Sequence, residues 1–349
     1  MEKQETGAPV AASSPETSSK THEAAPSAFE SARPQNYRSG IVALVGRPNV
    51  GKSTLLNRFI GEKLAITSPK PQTTRNRILG VLTRPDCQVA FLDTPGIHKP
   101  KGALHRFMVD TALSSIDEVD AVLFVIEASL RRDHSVEIGD TVREIVQRVK
   151  RAHKPVVLAI NKIDTLPKPL LLPIIDTYRR ELPEAEIFPI CARDGEGLEE
   201  LLEGLKSVLP EGEPLFPDDM LTDQAERFIV AEFIREQVLR SCRDEVPYST
   251  AVDIDHFDES DREPLGPVKP GELGGLIRIA ATIYVERESQ KAIVIGKGAR
   301  MLKQIGADAR RAIERFLGTH VYLSILVKVE PRWSERTDAL RRFGYREGK

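Results

Sequence analysis

Apolar runs alternate with amphipathic stretches from residue 38 to about residue 210. The apolar runs predict strands near 41–45, 76–83, 87–92, 120–126, 155–160 and 186–190. The stretches between them predict helices near 52–60, 103–115, 135–151, 170–182 and 196–208. Strands that are apolar throughout and alternate with helices are typical of a mostly parallel sheet with helices on both faces. The pattern therefore predicts an α/β domain that binds ligands at the carboxyl ends of its strands.

The pattern changes after residues 211–221, whose Pro, Gly and Glu content predicts an interdomain linker. Residues 222–242 have the apolar spacing of an amphipathic helix, at Phe228, Ala231, Ile234 and Val238. Predicted strands follow near 249–256 and 276–287, separated by a polar, Pro- and Gly-rich connection over 258–275. A glycine-bearing loop then leads into a helix that ends near 316, and a last strand spans 321–329. We predict a second, α+β domain over 222–331 and a C-terminal tail over 332–349.

Composition limits the remaining possibilities. Residues 1–37 are rich in Pro, Ser, Thr, Ala and Glu, which predicts disorder, and their five Glu against three Lys/Arg argue against an organelle transit peptide. The net charge of -2 means that any surface for nucleic acid must be local. Cys87, Cys191 and Cys242 have no metal-ligand spacing, and no apolar run reaches the roughly 18 residues of a membrane span. We expect a cytoplasmic protein.

The segment GRPNVGKST, residues 46–54, joins the first predicted strand to the first predicted helix. This setting is typical of a phosphate-binding loop, in which glycines let backbone N–H groups converge on phosphate oxygens. Lys52 is expected to neutralise the β- and γ-phosphates, and the Ser53 hydroxyl to bind Mg²⁺. We expect the whole segment to line a nucleotide: Gly46, Arg47, Pro48, Asn49, Val50, Gly51, Lys52, Ser53 and Thr54.

A second segment, DTPG, follows the predicted strand at 87–92. At the end of this strand a carboxylate can reach Mg²⁺ through water, and the Gly96 N–H can reach the γ-phosphate. DTPG is also a good turn sequence, so its weight comes from the other segments. The nucleotide-binding residues expected here are Asp93, Thr94, Pro95, Gly96 and Ile97.

A third segment, NKID, follows the predicted strand at 155–160 and comprises Asn161, Lys162, Ile163 and Asp164. Asp164 can accept from the N1–H and the exocyclic amine of guanine together, a donor pair that adenine lacks. A site built on such bonds rejects the analogue without them by roughly 10⁴-fold. The alternative role of Asp164 is a helix N-cap. After the last strand, Cys191, Ala192 and Arg193 are placed to give a backbone N–H to guanine O6. The sequence thus predicts GTP and GDP as ligands.

The segment PQTTR, residues 71–75, lies between the first helix and the second strand. A mobile loop there can offer a threonine hydroxyl to Mg²⁺ only while the γ-phosphate is present. We favour Thr74 over Thr73 as that ligand, and an ordinary surface loop is the alternative. The predicted metal ligands are Ser53, Thr74 and Asp93, and the predicted catalytic residues are Lys52, Thr74, Asp93 and Gly96.

The second domain, with its α-β-β-α-α-β order and glycine-bearing loop, resembles a type II KH domain. Such a loop holds about four nucleotides of single-stranded RNA by their backbone. Residues 291–316 carry seven Lys/Arg against Asp308 and Glu314, which provides a local positive field. Ala299 stands where the KH loop ends in glycine, and its methyl group is a modest intrusion unless φ is positive there. The expected RNA-binding residues are Ile295, Gly296, Lys297, Gly298, Ala299, Arg300 and Lys303.

Together these segments resemble the translation-factor-like GTPases and, within them, the Era family, over residues 38–349. The resemblance implies an α/β P-loop G domain at 38–210, followed by the α+β type II KH domain. It also implies GTP/GDP and Mg²⁺ as cofactors, binding to the 3′ end of small-subunit ribosomal RNA, and a role in maturation of the 30S subunit. In the tail, Trp333 is either a core anchor or a base-stacking platform.

Two residues bear on the rate of hydrolysis. Ile97 stands where Ras-like enzymes carry a water-orienting glutamine, so the resemblance implies slow hydrolysis. Asn49 resembles the residue that coordinates K⁺ in potassium-activated relatives, and stabilisation of the loop is its alternative role.

Two other functions stay open. One is an RNA-binding module whose G domain rarely turns over. The other is a membrane-associated signalling GTPase, for which the lack of a lipidation motif or amphipathic anchor leaves only peripheral contact with the inner face of the cell membrane. We expect a monomer.

Overall fold

The computed structural model describes residues 34–100, 102–133, 135–264, 266 and 272–345. Most of the predicted disordered segment, residues 1–37, therefore lies outside the described residues. The first domain contains β1 (Arg38–Val45), α1 (Lys52–Ile60), β2 (Ile78–Thr83), β3 (Cys87–Asp93), α2 (Ala103–Asp117), β4 (Ala121–Glu127), α3 (Asp140–Ala152), β5 (Val156–Asn161), α4 (Leu172–Glu181), β6 (Glu186–Pro189) and α5 (Leu198–Val208).

Its sheet has six strands in the order β2-β3-β1-β4-β5-β6. Strand β2 is antiparallel to β3, and the other pairs are parallel, so the predicted mostly parallel α/β sheet is confirmed. Along β1, Val42 and Leu44 pack in the core that includes α1 and α5, whereas Ala43 and Val45 pack in the core that includes α2, α3 and α4. Helices thus cover both faces, as expected for strands without polar alternation.

Helix α3 begins at Asp140, five residues after its predicted start at residue 135. Ser135 bonds locally instead, because its N–H and hydroxyl donate to Asp133 Oδ1 at 3.1 and 2.6 Å. Side chains of this kind compete with helix formation by capturing nearby backbone groups.

The second domain contains α6 (Glu226–Ser241), β7 (Ala251–Asp261), β8 (Gly274–Val285), α7 (Glu288–Ile295), α8 (Arg300–Leu317) and β9 (Thr319–Val329). Its sheet has the order β7-β8-β9, antiparallel and then parallel, which confirms the predicted α+β domain. Strand β7 continues five residues beyond its predicted end at residue 256. Its acidic end pairs with β8, where Arg278 Nη1 lies 2.5 Å from Asp261 Oδ2. The predicted polar connection therefore begins later than residue 258.

Helix α6 has more than one buried face, contrary to the simple amphipathic pattern predicted for residues 222–242. Ile234 and Val238 face the second domain's core, as expected. Arg235, Glu236 and Gln237 are buried as well. Arg235 donates to Thr73 O, and Glu236 pairs with Lys63 and accepts from the Thr67 N–H, so both contact the first domain. The pattern of apolar residues alone could not indicate this second contact.

The predicted linker, residues 211–221, follows the first domain closely. Ser39 Oγ donates to Glu213 O at 2.6 Å, and the Gly212 N–H donates to Tyr37 O at 3.0 Å. Farther along, the Val81 N–H donates to Leu221 O at 2.9 Å. The linker is therefore fixed along the sheet of the first domain.

The tail folds back between the two domains and includes α9 (Thr337–Arg342). Trp333 is fully buried, and its Nε1–H donates to Ser249 O at 2.8 Å. It belongs to a small core shared with Phe107 of α2, Leu340 and Tyr345. In this arrangement Trp333 is a core anchor, and the alternative of an exposed stacking platform does not apply. Among the described residues, no helix is long and apolar enough to cross a bilayer.

Candidate functional site

The loop between β1 and α1 is closely packed against the NKID segment. Gly51 adopts φ 103° just before α1, in the left-handed region that favours glycine. A Cβ at this position would lie 2.2 Å from Asn161 Nδ2. Asn161 Nδ2 itself donates to Val50 O at 2.8 Å. The structure therefore brings the first and third predicted segments into direct contact.

Lys52 lies inside this loop with its amine turned to backbone carbonyls. Its Nζ donates to Gly46 O at 3.2 Å and to Arg47 O at 3.1 Å. Burial lowers the pKa of Lys52 to about 8, while the nearby Asp93 carboxylate opposes that shift. An anion bound in the loop would compensate for the lost solvation of this charge, as a triphosphate does in phosphate-binding loops.

The three predicted metal ligands meet at one point. Ser53 Oγ lies 2.7 Å from Thr74 Oγ1 and 2.6 Å from Asp93 Oδ2. Asp93 is fully buried, and its Oδ1 has no hydrogen-bond partner among the described residues. Burial raises the pKa of Asp93, against the effect of the Lys52 charge. An unpaired buried carboxylate oxygen beside two hydroxyls is an oxygen donor set that suits Mg²⁺.

The neighbouring threonines differ clearly in their surroundings. Thr73 Oγ1 donates within its own loop, to Lys70 O at 2.8 Å. Thr74 Oγ1 lies 3.3 Å from Asp93 Oδ2 as well as close to Ser53. This placement is consistent with the preference for Thr74, whose role as a ligand stays a prediction.

The guanine end of the predicted site is held by a network around Asn161. Asn161 Oδ1 accepts from the Lys162 N–H at 2.8 Å and from the Ala192 N–H at 2.9 Å. Asp164 lies beside Cys191 and Arg193, with Cys191 Sγ 3.1 Å from its Oδ1 and Arg193 Nη2 3.2 Å from its Oδ2. Asp164 and the 191–193 segment are therefore adjacent, as the base-binding prediction requires.

The backbone donors of that segment are less available than the sequence suggested. The Cys191 N–H donates to Glu196 O at 2.9 Å, and the Ala192 N–H is engaged by Asn161. A guanine O6 at Cys191 or Ala192 would therefore compete with an existing bond for the backbone N–H. Sequence reasoning could not see this, because both acceptors depend on the folded loop.

The DTPG segment closes the phosphate side of the site. A Cβ on Gly96 would lie 2.5 Å from Pro48 N, so this segment touches the loop that follows β1. Thr94 Oγ1 donates to Leu44 O at 2.7 Å, a structural role, and Pro95 is buried. The Ile97 side chain is buried in the core, and its N–H donates to Gly46 O at 3.1 Å. The Ile97 side chain therefore does not line the cavity and cannot orient a water molecule there.

Sequence reasoning missed His98, the residue after Ile97. Its Nδ1 lies 2.9 Å from Gly96 O, and its Nε2 lies 3.2 Å from Gln72 Nε2. It thus connects the DTPG segment with the PQTTR segment. The sequence signal that could have identified His98 is its position close after the DTPG segment.

Asn49 adopts φ 64°, and its Nδ2 donates to Pro69 O at 2.7 Å. This contact fits the loop-stabilising role that was the alternative to K⁺ coordination. The two roles use different atoms of the amide, so the contact does not decide between them.

A cavity of about 850 Å³ lies between the loop before α1, the PQTTR segment and Gly96, whereas Asp164 and residues 191–193 are not part of its lining. Its size suits a nucleotide-sized ligand. Gly51, Ser53, Thr74, Gly96 and Lys162 line it. Arg240 of α6 also lines it, so the second domain contributes to the cavity wall. Arg240 could not be assigned from sequence, since nothing in its local pattern points to a partner far along the chain.

The glycine-bearing loop of the second domain connects α7 to α8 and is open to solvent. Gly296 and Gly298 adopt φ 69° and 61°, and Ala299 adopts φ 58°. The condition under which Ala299 would strain the loop is therefore met. Apart from the chain neighbours of Gly298, no atom of the described residues lies within 4 Å of a Cβ built on it, and Lys297, Arg300 and Lys303 are exposed around it. Ile295 is half-buried beneath the loop. The loop thus offers its backbone and three cations to an extended anionic chain.

Comparison with known proteins agrees with both parts of this site. Residues 41–162 match the family described as "50S ribosome-binding GTPase", and residues 266–334 match the family described as "KH domain". GTPase Era of Geotalea uraniireducens (strain Rf4) is 50% identical over 311 residues, which cover 89% of this chain and 99% of that protein. GTPase Era of Lacticaseibacillus paracasei is 47% identical over 309 residues, 88% of this chain and 97% of that protein.

Two solved structures are similar over almost their whole length. One is Aquifex aeolicus Era, as a variant bound to GDP·AlF4⁻, and the other is Era in complex with MgGDPNP and nucleotides 1506–1542 of 16S ribosomal RNA. Each has a TM-score of 0.79 and 44% identity and covers 88% of this chain and 99% of its own. Both nucleotide and RNA therefore bind to proteins with this fold and close sequence similarity.

Proposed function

The chain belongs to the GTPase Era family and hydrolyses GTP, and we propose that it uses this nucleotide cycle to control RNA binding during assembly of the small ribosomal subunit. The RNA is the 3′ end of 16S-type ribosomal RNA, bound by the KH domain. The proposal rests on one observation: the same chain contains both the nucleotide cavity and the open, cationic loop at Lys297.

The nucleotide part of the proposal rests on groups already in place. Ser53, Thr74 and Asp93 would hold Mg²⁺, which neutralises charge on the β- and γ-phosphates when bound. Lys52 would bind the same phosphates, and Asp164 would select guanine. Buried Ile97 leaves the attacking water to the backbone and a partner, so we expect slow intrinsic turnover.

We include K⁺ as a proposed cofactor at Asn49. Its test is hydrolysis in potassium against sodium at equal ionic strength. Faster turnover in potassium that Asn49→Ala abolishes would support the role, and equal rates in the two salts would contradict it.

The RNA part is tested by reversing one charge in the loop. Lys297 is exposed and its side chain can contact a phosphate, so Lys297→Asp should abolish binding to an oligonucleotide of the rRNA 3′ end while GTP hydrolysis stays intact. Lys328→Asp is the matched control, because Lys328 is an exposed lysine on β9 of the same domain. If hydrolysis fell together with RNA binding, the assignment of RNA binding to the second domain and hydrolysis to the first would be wrong.

A second candidate is an RNA-binding module whose G domain rarely turns over. The buried Ile97 favours it, because no side chain at that position assists the water. The two candidates differ in one measurement, turnover with and without the 3′ rRNA oligonucleotide or small subunits. Stimulated turnover supports the GTP-controlled protein, and unchanged turnover with nucleotide-independent RNA affinity supports the module.

We also propose that the protein is cytoplasmic and monomeric. The ribosomal partner inferred above and three buried, unpaired cysteines support the cytoplasmic location. Peripheral contact with the inner face of the cell membrane stays a prediction. Cell fractionation in low and high salt tests location, since a peripheral protein leaves the membrane fraction when salt is raised. Light scattering of the purified chain tests the oligomeric state.

A further inference from the structure

Arg75, the last residue of the PQTTR segment, is buried between the two domains. It is 2% exposed. Its Nη1 donates to Thr250 O at 2.7 Å and to the Tyr345 hydroxyl at 3.2 Å, and its Nη2 donates to Tyr248 O at 2.8 Å and to Pro247 O at 3.3 Å.

The ring of Trp333 completes this cradle. The guanidinium carbon of Arg75 lies 5.7 Å from the ring centre, within the range of a cation–π contact. The Trp333 Nε1–H donates to Ser249 O, inside the same turn whose carbonyls bind Arg75. The second domain and the tail therefore together form a fitted site for one side chain of the first domain.

The position of Arg75 in the chain gives this site its significance. Thr74, one residue earlier, lies at the predicted metal site beside Ser53 and Asp93. One residue before that, Thr73 O accepts from Arg235 of α6. Three consecutive residues thus connect α6, the metal site, and the cradle of turn and tail.

Helix α6 also holds the start of the same segment. Glu236 is fully buried, pairs with Lys63, and accepts from the Thr67 N–H at 3.1 Å. Lys70 Nζ donates to Leu239 O at 2.5 Å and also to Cys242 O. Residues 63–75 are therefore bound to the second domain along most of their length.

We propose that Arg75 is a positioning residue for GTP hydrolysis, which holds Thr74 at the metal site by inserting into the cradle of turn 247–250, Trp333 and Tyr345. The second domain and the C-terminal tail thereby complete the metal site of the first domain. This inference rests on the proposed Mg²⁺ site at Ser53, Thr74 and Asp93.

The cradle binds Arg75 through uncharged groups. The four hydrogen-bond partners of Arg75 named above are three backbone carbonyls and the Tyr345 hydroxyl, and none is a carboxylate. Burial lowers the pKa of Arg75, while Tyr345 and the Glu232 charge oppose that shift. The planar guanidinium supplies several donors in fixed directions, which a lysine could not do. Arginine at this position therefore fixes geometry as well as charge.

The test compares Arg75→Met with Arg77→Met in the full chain. Arg77 is two residues away but exposed, and its Nη1 pairs with Glu118 at 2.7 Å. The measurement is GTP turnover as a function of Mg²⁺ concentration. Losing a residue that orients a metal ligand costs about 10- to 100-fold in metal affinity. We therefore expect Arg75→Met to raise the half-saturating Mg²⁺ concentration and lower kcat, with Arg77→Met equal to wild type.

GDP affinity and thermal melting separate positioning from folding. Thr74 is expected to contact the metal only while the γ-phosphate is present, so Arg75→Met should keep its GDP affinity within about twofold. A lower melting temperature with an unchanged Mg²⁺ titration and kcat would show a merely structural role and overturn the inference. If turnover of the wild-type protein did not depend on Mg²⁺, that result would instead contradict the proposed metal site.

Tyr345→Phe provides the second variant, in case Arg75→Met does not fold. It removes one hydroxyl from the cradle and keeps the ring that packs against Phe107 and Trp333. We expect a shift of the Mg²⁺ titration in the same direction, of about threefold, the scale of one modest hydrogen bond. An Mg²⁺ midpoint identical to wild type in this variant would contradict the proposal.

Discussion

The chain has two glycine-bearing loops, each proposed to bind phosphate groups, and the loops differ in their surroundings. The loop at 46–51 is enclosed: a Cβ on Gly51 would collide with Asn161 at 2.2 Å, and Lys52 is buried behind it. The loop at 296–299 is open: in the part of the chain that the structure describes, only chain neighbours lie within 4 Å of a Cβ on Gly298, and Lys297 is exposed. Both loops lead into a helix N-terminus, where backbone N–H groups favour anions.

The difference corresponds to the ligand each loop has to recognise. An enclosed loop with a desolvated lysine suits a compact, multiply charged phosphate group, since buried charges interact strongly. An open loop with solvated cations suits a long backbone that passes over it, where each contact is weaker and depends on salt. We therefore expect that enclosure makes the first loop selective and that exposure lets the second loop bind a long chain.

The largest effect is expected where the loop is enclosed. Gly51→Ala places a methyl group against Asn161 in a backbone conformation that alanine rarely adopts. We expect a loss of GTP and GDP affinity of at least about 100-fold, because Asn161 also holds Val50 and Ala192. Calorimetry measures the affinities. Gly61→Ala is the control, since Gly61 also has positive φ but open space; similar losses in both would refute the role of enclosure.

The next effect concerns the buried charge. Burial lowers the pKa of Lys52 from its ordinary value to about 8, so its charged form destabilises the nucleotide-free protein below that pH. Bound phosphate should raise that pKa again. Affinity for a non-hydrolysable GTP analogue should be level below pH 8 and fall above it, by up to about tenfold per pH unit.

Proton uptake on binding measures this linkage directly. At pH 8.5 we expect the wild type to take up protons, seen as a dependence of the binding enthalpy on the ionisation enthalpy of the buffer. Lys52→Met should bind more weakly and lose this uptake. Equal proton uptake in both proteins would mean that another group is responsible.

A smaller effect is expected in the open loop. Lys297→Ala should weaken RNA binding several-fold and reduce the steepness of its dependence on salt by about 0.7 for each phosphate that the lysine neutralises in the wild type. Fluorescence anisotropy at several salt concentrations gives both values. Lys328→Ala should leave the steepness unchanged, and an equal change in the two variants would mean that Lys297 makes no specific phosphate contact.

The smallest effect concerns Ala299. Its φ of 58° lies in the left-handed region, so Ala299→Gly removes strain and should stabilise the protein by about 0.5–1 kcal/mol after the entropy cost of glycine. Ala307→Gly, in the middle of α8, should destabilise by about 1 kcal/mol. Urea unfolding followed by a probe in the second domain measures both. The same sign in both variants would exclude strain at Ala299.

The nucleotide segments could be placed from sequence because each follows an apolar run at the carboxyl end of a strand. The loop before α1, Asp93 and Asn161 therefore came together as expected. Local rules suffice for such segments. The same rules missed the extra length of β7, whose acidic residues pair with Arg278.

The contacts between the domains could not be predicted, because they join polar residues far apart in the chain. Arg75 binds carbonyls around residue 248, and Arg235 binds Thr73, through groups that local patterns assign to solvent. The apolar spacing of α6 predicted one buried face, yet Arg235 and Glu236 on this helix are buried as well. The positive φ of Ala299 was likewise visible only in the folded loop.

The central claim is that nucleotide bound in the enclosed loop controls RNA bound at the open one. It is tested most directly by the affinity of the full chain for the 3′ rRNA oligonucleotide in two states, loaded with Mg²⁺ and either GDP or a non-hydrolysable GTP analogue. We predict tighter binding with the analogue, by at least about fivefold, and by reciprocity an equal RNA-induced gain in preference for the analogue over GDP. Equal RNA affinity in the two states would contradict the account.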